Sequence, residues 1–314
     1  GGRESAAYGR TIRLIEAHRV HCFAVATQYR AMFGSTSGAG GGGDSGVMLS
    51  AWLTGRLQRL LGELRQLLTE VKDGDSLRSV LEQALFFASR MAQAGADFSG
   101  QVLPMFHDLI FEQVTGEWQQ CVAALQFMLA GERVAATAPQ GSAGGGDAPV
   151  SFLVPLFVGK AATSAGGGKS GAANGTSVRD PPGTLLRLPP LAHTLNALLH
   201  ALNCVRACAL KSLRGPLGEA LGTLMVQCAA AVAQQKAAVR RRAPQYVSDD
   251  DNVEDLAKEF ATALLEALVP HVALCFRAMF PKRDQQRDAM DVAEARCNEL
   301  LVEAELIGGG GRGG

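Results

Sequence analysis

The feature that most constrains this chain is a double proline followed by an apolar stripe, within residues 185–213. Two prolines suit the first turn of a helix, because proline has no N–H group to lose there and its φ is already helical. Apolar side chains then recur at steps of three and four, which places them on one helical face. The prolines are Pro189 and Pro190, and the stripe is Leu191, Leu195, Leu198, Leu202 and Val205. We predict a helix that begins at the double proline and packs against other helices.

The same periodicity predicts four helices before this one. The first covers residues 3–33, and the second begins near Val47 and has the most regular apolar spacing. Asp75 is predicted to be the N-cap of the third helix, because a carboxylate can accept its first free N–H groups. The short link before it predicts that the second and third helices form an antiparallel hairpin. The predicted faces are Ile12, Ile15, Cys22, Ala26, Tyr29 and Phe33; Leu53, Leu57, Leu60, Leu64, Leu67 and Val71; Leu77, Leu81, Ala84, Ala88 and Met91; and Phe106, Ile110, Val114, Trp118, Cys121, Leu125 and Met128.

Two more helices are predicted after the double-proline helix. One begins at Gly215-Pro216 and ends at three arginines, and the next begins at three aspartates, charges that suit those helix ends. Pro270 is expected to kink the second of these, since it removes a backbone hydrogen bond. The predicted faces are Leu217, Leu221, Leu224, Cys228 and Val232, then Val253, Leu256, Phe260, Leu264, Leu268, Val272, Cys275 and Met279.

Composition divides this all-α chain into four parts. A helical bundle is predicted for residues 3–130, with a disordered Gly-rich insert at 34–46. Residues 131–184 are rich in Gly, Ala, Ser and Thr and are predicted to be a mostly disordered linker. A second bundle follows at 185–281, and residues 282–314 form a charged tail that is helical in part and has a disordered end.

Charge and cysteine content exclude several classes of function. Thirty basic and thirty acidic side chains cancel, which argues against nucleic-acid binding. Seven scattered cysteines without a C-x-x-C pair fit neither a disulfide framework nor a zinc finger, and they indicate a reducing compartment. The longest apolar run, residues 152–158, is too short to span a bilayer, so we predict no transmembrane segment. The start at Gly1 predicts a fragment that lacks an N-terminal part.

Two His/Cys groups are the candidates for metal binding. His18, His21 and Cys22 lie within about one helical turn, but a second cluster to complete four ligands is missing. His193, His200, Cys204 and Cys208 form a stripe along the double-proline helix, and ligands on one straight helix cannot surround an ion tetrahedrally. We therefore predict that both groups are structural and that the chain has no metal site and no cofactor.

The sequence shows no complete catalytic motif that would predict an enzyme. Residues 167–170 read GGKS and imitate the end of a phosphate-binding loop, yet the first glycine of that motif would fall on Thr163 and no strand precedes it. The sequence contains neither G-x-S-x-G nor H-E-x-x-H. We predict no catalytic or cofactor-binding residues.

Four sequence blocks carry a family resemblance. They are EAHRVHCFAVATQYRAMF (16–33), AGADFSGQVLPMF (94–106), LLRLPPLAHTLNALLHALN (185–203) and LLEALVPHVALCFRAMFP (264–281). In this order they resemble the family of the eighth subunit of the conserved oligomeric Golgi complex, a multisubunit tethering complex, in its C-terminal portion. The Gly-rich inserts and the tail after Pro281 depart from the pattern.

The resemblance implies an elongated rod of antiparallel helical bundles and a non-enzymatic subunit. It implies action in intra-Golgi retrograde vesicle transport and Golgi organisation, peripherally on the cytosolic face of Golgi membranes. The implied partners are the other subunits of the complex and, through it, SNAREs, Rab GTPases and golgins. The alternative is a generic cytosolic helical adaptor or scaffold with no vesicle role.

Overall fold

The structure, a computed structural model, describes residues 2–33, 43–129, 182–242, 250–281 and 288–307. Every regular element within these ranges is helical, which confirms the predicted all-α class. The α-helices are α1 (Gly2–Phe33), α2 (Gly43–Leu68), α3 (Gly74–Gln93), α4 (Ser99–Leu129), α5 (Pro189–Arg206), α6 (Arg214–Arg242), α7 (Asp250–Ala263), α8 (Val269–Met279) and α9 (Ala289–Glu303). Two 3₁₀ turns lie at Gly183–Arg187 and Lys211–Leu213, and a π turn lies at Leu264–Leu268.

Most of the two predicted inserts lies outside the described residues. At their described edges, residues 43–46 belong to α2, and residues 183–184 belong to a 3₁₀ turn in which Leu185 is fully buried. By contact, the chain divides into one unit of residues 1–113 and 204–210 and another of residues 114–203 and 211–314. The four-part division stays a prediction.

Helix α1 is the central element of the first unit. It runs antiparallel to α2, since Arg10 pairs with Glu70 at 2.6 Å while His21 lies against Trp52. It runs parallel to α3, because Tyr8 bonds Ser79 at 3.0 Å and Arg30 Nη1 donates to the Gln93 carbonyl at 3.3 Å. Helices α2 and α3 are therefore antiparallel as predicted, but each packs most closely against α1, not against the other.

The buried face of α1 differs from the predicted one. It consists of Ala7, Thr11, Ile15, His18, Cys22 and Ala26. Ile12 and Tyr29 are half-buried and Phe33 is exposed, so their assignment to the buried face was wrong. Thr11 and His18 were missed because both side chains bond carbonyl oxygens of their own helix, Ala7 at 2.9 Å and Leu14 at 3.0 Å. Such bonds let polar side chains occupy an apolar face.

Two details around the α2–α3 connection correct the prediction. Leu68 is fully buried where Leu67 was expected, and Leu67 is half-buried. The N-cap of α3 is Asp73, not Asp75: Asp73 has an extended backbone and its carboxylate accepts the Ser76 N–H at 2.9 Å. The first helical residue is Gly74. This position requires glycine because a Cβ there would overlap the carbonyl oxygen of Cys204.

In the second unit, α5 begins at the double proline as predicted, and its whole predicted stripe is buried. The charged tail contains α9, which packs against α6. The two backbones approach closely because small residues face each other: a Cβ on Gly222 would lie 3.2 Å from Cβ of Ala293. The tail helix is thus part of the core, with Met290, Cys297 and Leu301 buried.

Pro270 lies just after the π turn. There the Val269 N–H bonds the Leu264 carbonyl, one residue farther back than in an α-helix. A π turn holds one extra residue, so apolar spacing read across it loses register. Leu256 is 48% exposed although it was predicted on the buried face. It lies in α7, before the π turn, and two steps of four residues, from Leu256 to Phe260 and Leu264, drift about 80° around a helix of 3.6 residues per turn.

Two stretches, Lys211–Gln235 and Asp255–Met279, have the length and apolar composition of a membrane-spanning helix. In each, 56% of the apolar window is buried inside the structure, and a core helix of a soluble protein has the same length and composition. The prediction of no transmembrane segment stays a prediction.

Candidate interaction surfaces

The structure places the first His/Cys group on two sides of α1. His18 lies on the buried face, and its Nδ1 meets the Leu14 carbonyl while its Nε2 has no described partner. His21 is exposed and lies against the Trp52 ring, 6.0 Å between centroids. Burial raises the pKa of the Cys22 thiol, although Arg56 beside it acts in the opposite direction. His18 and Cys22 thus lie on the buried face of α1, and His21 lies on its exposed side.

The side chains of the second group, on α5 and the turn after it, differ in burial. His193 and His200 are exposed, Cys204 is half-buried and Cys208 is buried. Burial raises the pKa of the Cys208 thiol to about 11. Within the described ranges, no cluster of three or more His, Cys, Asp or Glu side chains has the arrangement of a metal site. The GGKS stretch lies outside these ranges.

The remaining thiols are buried. Burial raises the pKa of Cys121 to about 11 and those of Cys275 and Cys297 to about 12. Such thiols are poor nucleophiles because the thiolate is the reactive form. No disulfide joins the seven cysteines, and the six buried ones have the character of small core residues.

The surface features that stand out are exposed apolar side chains on the first unit. One set, which we name the Arg–Phe surface, consists of Arg19, Val20 and Phe23 of α1 with Phe86 and Arg90 of α3. The Arg19 guanidinium lies 5.7 Å from the centre of the Phe86 ring, and that of Arg90 lies 5.2 Å from it. The ring itself is 44% exposed, as is that of Phe23.

Helical spacing explains how these side chains meet. Arg19 and Phe23 are four residues apart on α1, and Phe86 and Arg90 are four apart on α3, so each pair lies on one face of its helix. Because α1 and α3 run parallel, the two faces form one continuous strip. Glu16 pairs with Arg19 at 2.5 Å, whereas among the described residues Arg90 has no carboxylate partner.

A second set, which we name the apolar end, lies where α1 ends and α2 begins. It consists of Met32, Phe33, Val47 and Met48, the last of which is 71% exposed. Beside it is a cavity of about 210 Å³ whose lining includes Tyr29, Leu49 and Leu53. Residues 34–42, which join the two helices, hold only Gly, Ser, Thr and Ala, so they bring no large apolar side chain to this end.

Both surfaces have the composition of protein interfaces, where aromatic residues, Met and Arg are enriched. Contiguous exposed apolar side chains on helices typically mark binding sites for other proteins. Sequence reasoning did not identify the residues of either surface. Arg19 and Phe86 lie 67 positions apart, and the one available signal was the presence of large apolar residues outside the buried stripes.

The chain was compared with known proteins. Residues 4–122 match the model of the Dor1-like family. Conserved oligomeric Golgi complex subunit 8 of Bos taurus is 28% identical over 279 residues, which are 87% of this chain and 40% of the relative. The subunits 8 of Mus musculus and Homo sapiens are each 29% identical, over 87% of this chain and 39% and 41% of their own lengths. No solved structure gives a significant match.

The matched region contains α1 from residue 4, α2, α3, most of α4, and both surfaces. The chain spans about 40% of the length of the curated relatives. The resemblance found in the four sequence blocks is confirmed: residues 4–122 carry the Dor1-like match, and the chain over 87% of its length is similar to conserved oligomeric Golgi complex subunit 8.

Proposed function

We propose that the chain is part of a non-enzymatic subunit of a Golgi vesicle-tethering complex. It acts in intra-Golgi retrograde vesicle transport and Golgi organisation through contacts between helices. The relatives are by name subunits of a Golgi complex, and they align with most of the chain. A subunit that works by assembly needs exposed helical surfaces more than an enclosed site.

The observation that carries this proposal is the Arg–Phe surface within the region that matches the Dor1-like family. Phe23 and Phe86 expose large aromatic area on neighbouring helices, and two arginines flank one of the rings. Exposed aromatic area of this kind gains free energy when a partner covers it.

The proposed partners are the other subunits of the complex and, through it, SNAREs, Rab GTPases and golgins. The proposed location is the cytosolic face of Golgi membranes, where the protein is held peripherally by its partners. The support is the similarity to Golgi complex subunits together with the helical surfaces, which fit protein partners.

The alternative is a generic cytosolic helical adaptor with no vesicle role. It has the same surfaces and differs in location and partners. Expression of the tagged chain in cells of its source organism separates the two. The tethering function predicts that the chain concentrates on Golgi membranes and copurifies with the other complex subunits. A diffuse cytosolic distribution, without those subunits in the purified material, would favour the adaptor.

A further inference from the structure

We propose that the Arg–Phe surface binds an amphipathic helix of another protein, one that presents an apolar anchor flanked by aspartate or glutamate. The inference rests on the proposed function, because it gives the chemistry of a partner that the surface would take during assembly. It concerns Arg19, Val20, Phe23, Phe86 and Arg90.

The first step is the arrangement around Phe86. Its ring is contacted by two guanidinium groups, Arg19 from α1 and Arg90 from α3, at 5.7 and 5.2 Å. Cation–π contacts of this length restrict where a long arginine side chain points. The two arginines are thus held beside the aromatic ring before a partner arrives, which reduces the entropy lost on binding.

The second step is the apolar strip beside the ring. Phe23 lies one helical turn beyond Arg19, and Val20 lies between them in sequence and is exposed as well. With Phe86 they offer apolar contact across two parallel helices. A helical partner uses anchors at positions i, i+3, i+4 and i+7, a spacing that suits such a strip.

The third step is charge. Arg19 already forms an ion pair with Glu16. Arg90 is exposed and lacks a carboxylate partner among the described residues. A guanidinium group pairs with carboxylates through two parallel hydrogen bonds. An acidic residue next to the apolar anchor would therefore complement Arg90 and fix the orientation of the partner helix.

An anionic membrane is a less suitable partner for this surface. Glu16 pairs with Arg19, and Glu82 lies one turn before Phe86, where it pairs with Arg78 at 2.9 Å. These carboxylates offset most of the local positive charge. Binding to anionic lipid typically relies on clusters of four or more basic residues, whereas this surface has one arginine, Arg90, without a carboxylate partner in the described part of the chain.

The test is a photocross-linking experiment with the full chain and the purified remaining subunits of the conserved oligomeric Golgi complex from the same organism. Phe23 is replaced by p-benzoylphenylalanine, which keeps an aromatic ring at that position. We expect the cross-linked peptide to be an amphipathic helical segment with acidic residues beside its apolar face. Arg90→Glu and Phe86→Ala should each weaken retention by at least about tenfold, as truncation of interface anchors does.

Two matched variants serve as controls in the first unit. Arg59→Glu reverses an exposed arginine of α2, and Leu103→Ala truncates a side chain of α4 that is 44% exposed, like Phe86. Both should leave retention unchanged. Circular dichroism of every variant checks that the helices are intact.

The outcomes separate this inference from the proposed function. If the wild-type chain retains the subunits and Arg90→Glu and Phe86→Ala do not weaken retention, the Arg–Phe surface is not the binding site. The proposed tethering function then stands. A cross-link to a segment without acidic residues, to a second copy of the chain, or binding to phosphatidylserine vesicles alone would also overturn the inference. If no subunit is retained by the wild-type chain, both proposals fail.

Discussion

Arg277 in the last turn of α8 donates from Nε to Oδ2 of Asp288, 2.7 Å away, at the residue that caps α9. The same arginine reaches Asp291 in the first turn of α9 at 2.5 Å. Asp288 also accepts the Met290 N–H at 3.2 Å. One guanidinium group thus joins the end of one core helix to the start of the next.

We predict that Arg277→Gln lowers the free energy of unfolding by about 1 kcal/mol. A charge-assisted hydrogen bond contributes about 1.5–3 kcal/mol, and we reduce that value because the arginine side chain is 38% exposed and screened by solvent. Urea unfolding followed by circular dichroism measures the change. Arg277→Lys keeps the positive charge but loses the planar guanidinium group. Its free energy of unfolding should fall between those of the wild type and Arg277→Gln. An unchanged urea midpoint for Arg277→Gln would show that the contacts of Arg277 with Asp288 and Asp291 do not stabilise the protein.

Two glycines give opposite predictions for the same substitution. Gly74→Ala should destabilise the protein by about 2 kcal/mol or more, because the new Cβ would overlap the Cys204 carbonyl oxygen, a backbone atom that cannot rotate away. Gly62→Ala in the middle of α2 meets nothing within 4 Å. It should stabilise by about 0.5–1 kcal/mol, since alanine favours helix and restricts the unfolded chain.

The melting temperatures of the two alanine variants test this contrast directly. The expected order is Gly62→Ala above wild type and wild type above Gly74→Ala. If the melting temperature of Gly74→Ala equals that of the wild type, the close approach of α3 to the Cys204 carbonyl does not exist in solution.

His271 gives the stability of the second unit a dependence on pH. Its side chain is buried in α8, its Nδ1 has no described partner, and its Nε2 lies 3.6 Å from Sγ of Cys275. Burial lowers the pKa of His271 below its ordinary value of 6.5. The unfolded state therefore binds a proton more readily than the folded state, so stability falls as the pH drops through 6.5 toward the lower folded pKa.

The check is the urea midpoint at pH 7.5 and pH 5.5 for wild type and for His271→Gln. The loss of stability between the two pH values should be smaller in the variant, because its side chain does not titrate. His21→Gln, at an exposed position on α1, is the control and should keep the wild-type loss. An equal loss in all three proteins would contradict a desolvated His271.

Thiol labelling distinguishes the cysteines by burial. Cys204 is half-buried, whereas the other six are buried. We expect N-ethylmaleimide to add rapidly to one thiol in the native protein and to all seven in guanidinium chloride, as measured by intact mass. Cys204→Ser should abolish the rapid native addition. Rapid labelling of several thiols in this variant would mean that the core opens readily.

Periodicity in the sequence predicts the helices well and their irregular points less well. The start of α5 at Pro189 was predictable because proline has one favourable place in a helix. The cap at Asp73 was not, because Asp73 and Asp75 both lie just before the apolar stripe and either carboxylate could accept the first free N–H groups of the helix. Leu256 was misplaced because two successive steps of four residues, to Phe260 and Leu264, drift about 80° around a helix of 3.6 residues per turn.

The candidate surfaces were harder to predict than the fold. An exposed phenylalanine has the same spacing signal as a buried one. The neighbours that distinguish Phe86 from Phe87 include Arg19 and Phe98, which lie outside α3. Phe87 packs edge-on against Phe98 at 5.2 Å, whereas Phe86 turns outward between two arginines. The family resemblance, by contrast, is carried by local sequence blocks and was visible without the structure.

Binding to purified partners tests the central claim most directly. The full chain, immobilised through a tag, is mixed with the purified remaining subunits of the conserved oligomeric Golgi complex, and retained protein is quantified. The proposed function predicts stoichiometric retention of at least one subunit by the folded wild-type chain, and loss of retention by a Leu60→Asp variant whose core is disrupted. Failure of the folded wild-type chain to retain any subunit would contradict the proposed role in tethering.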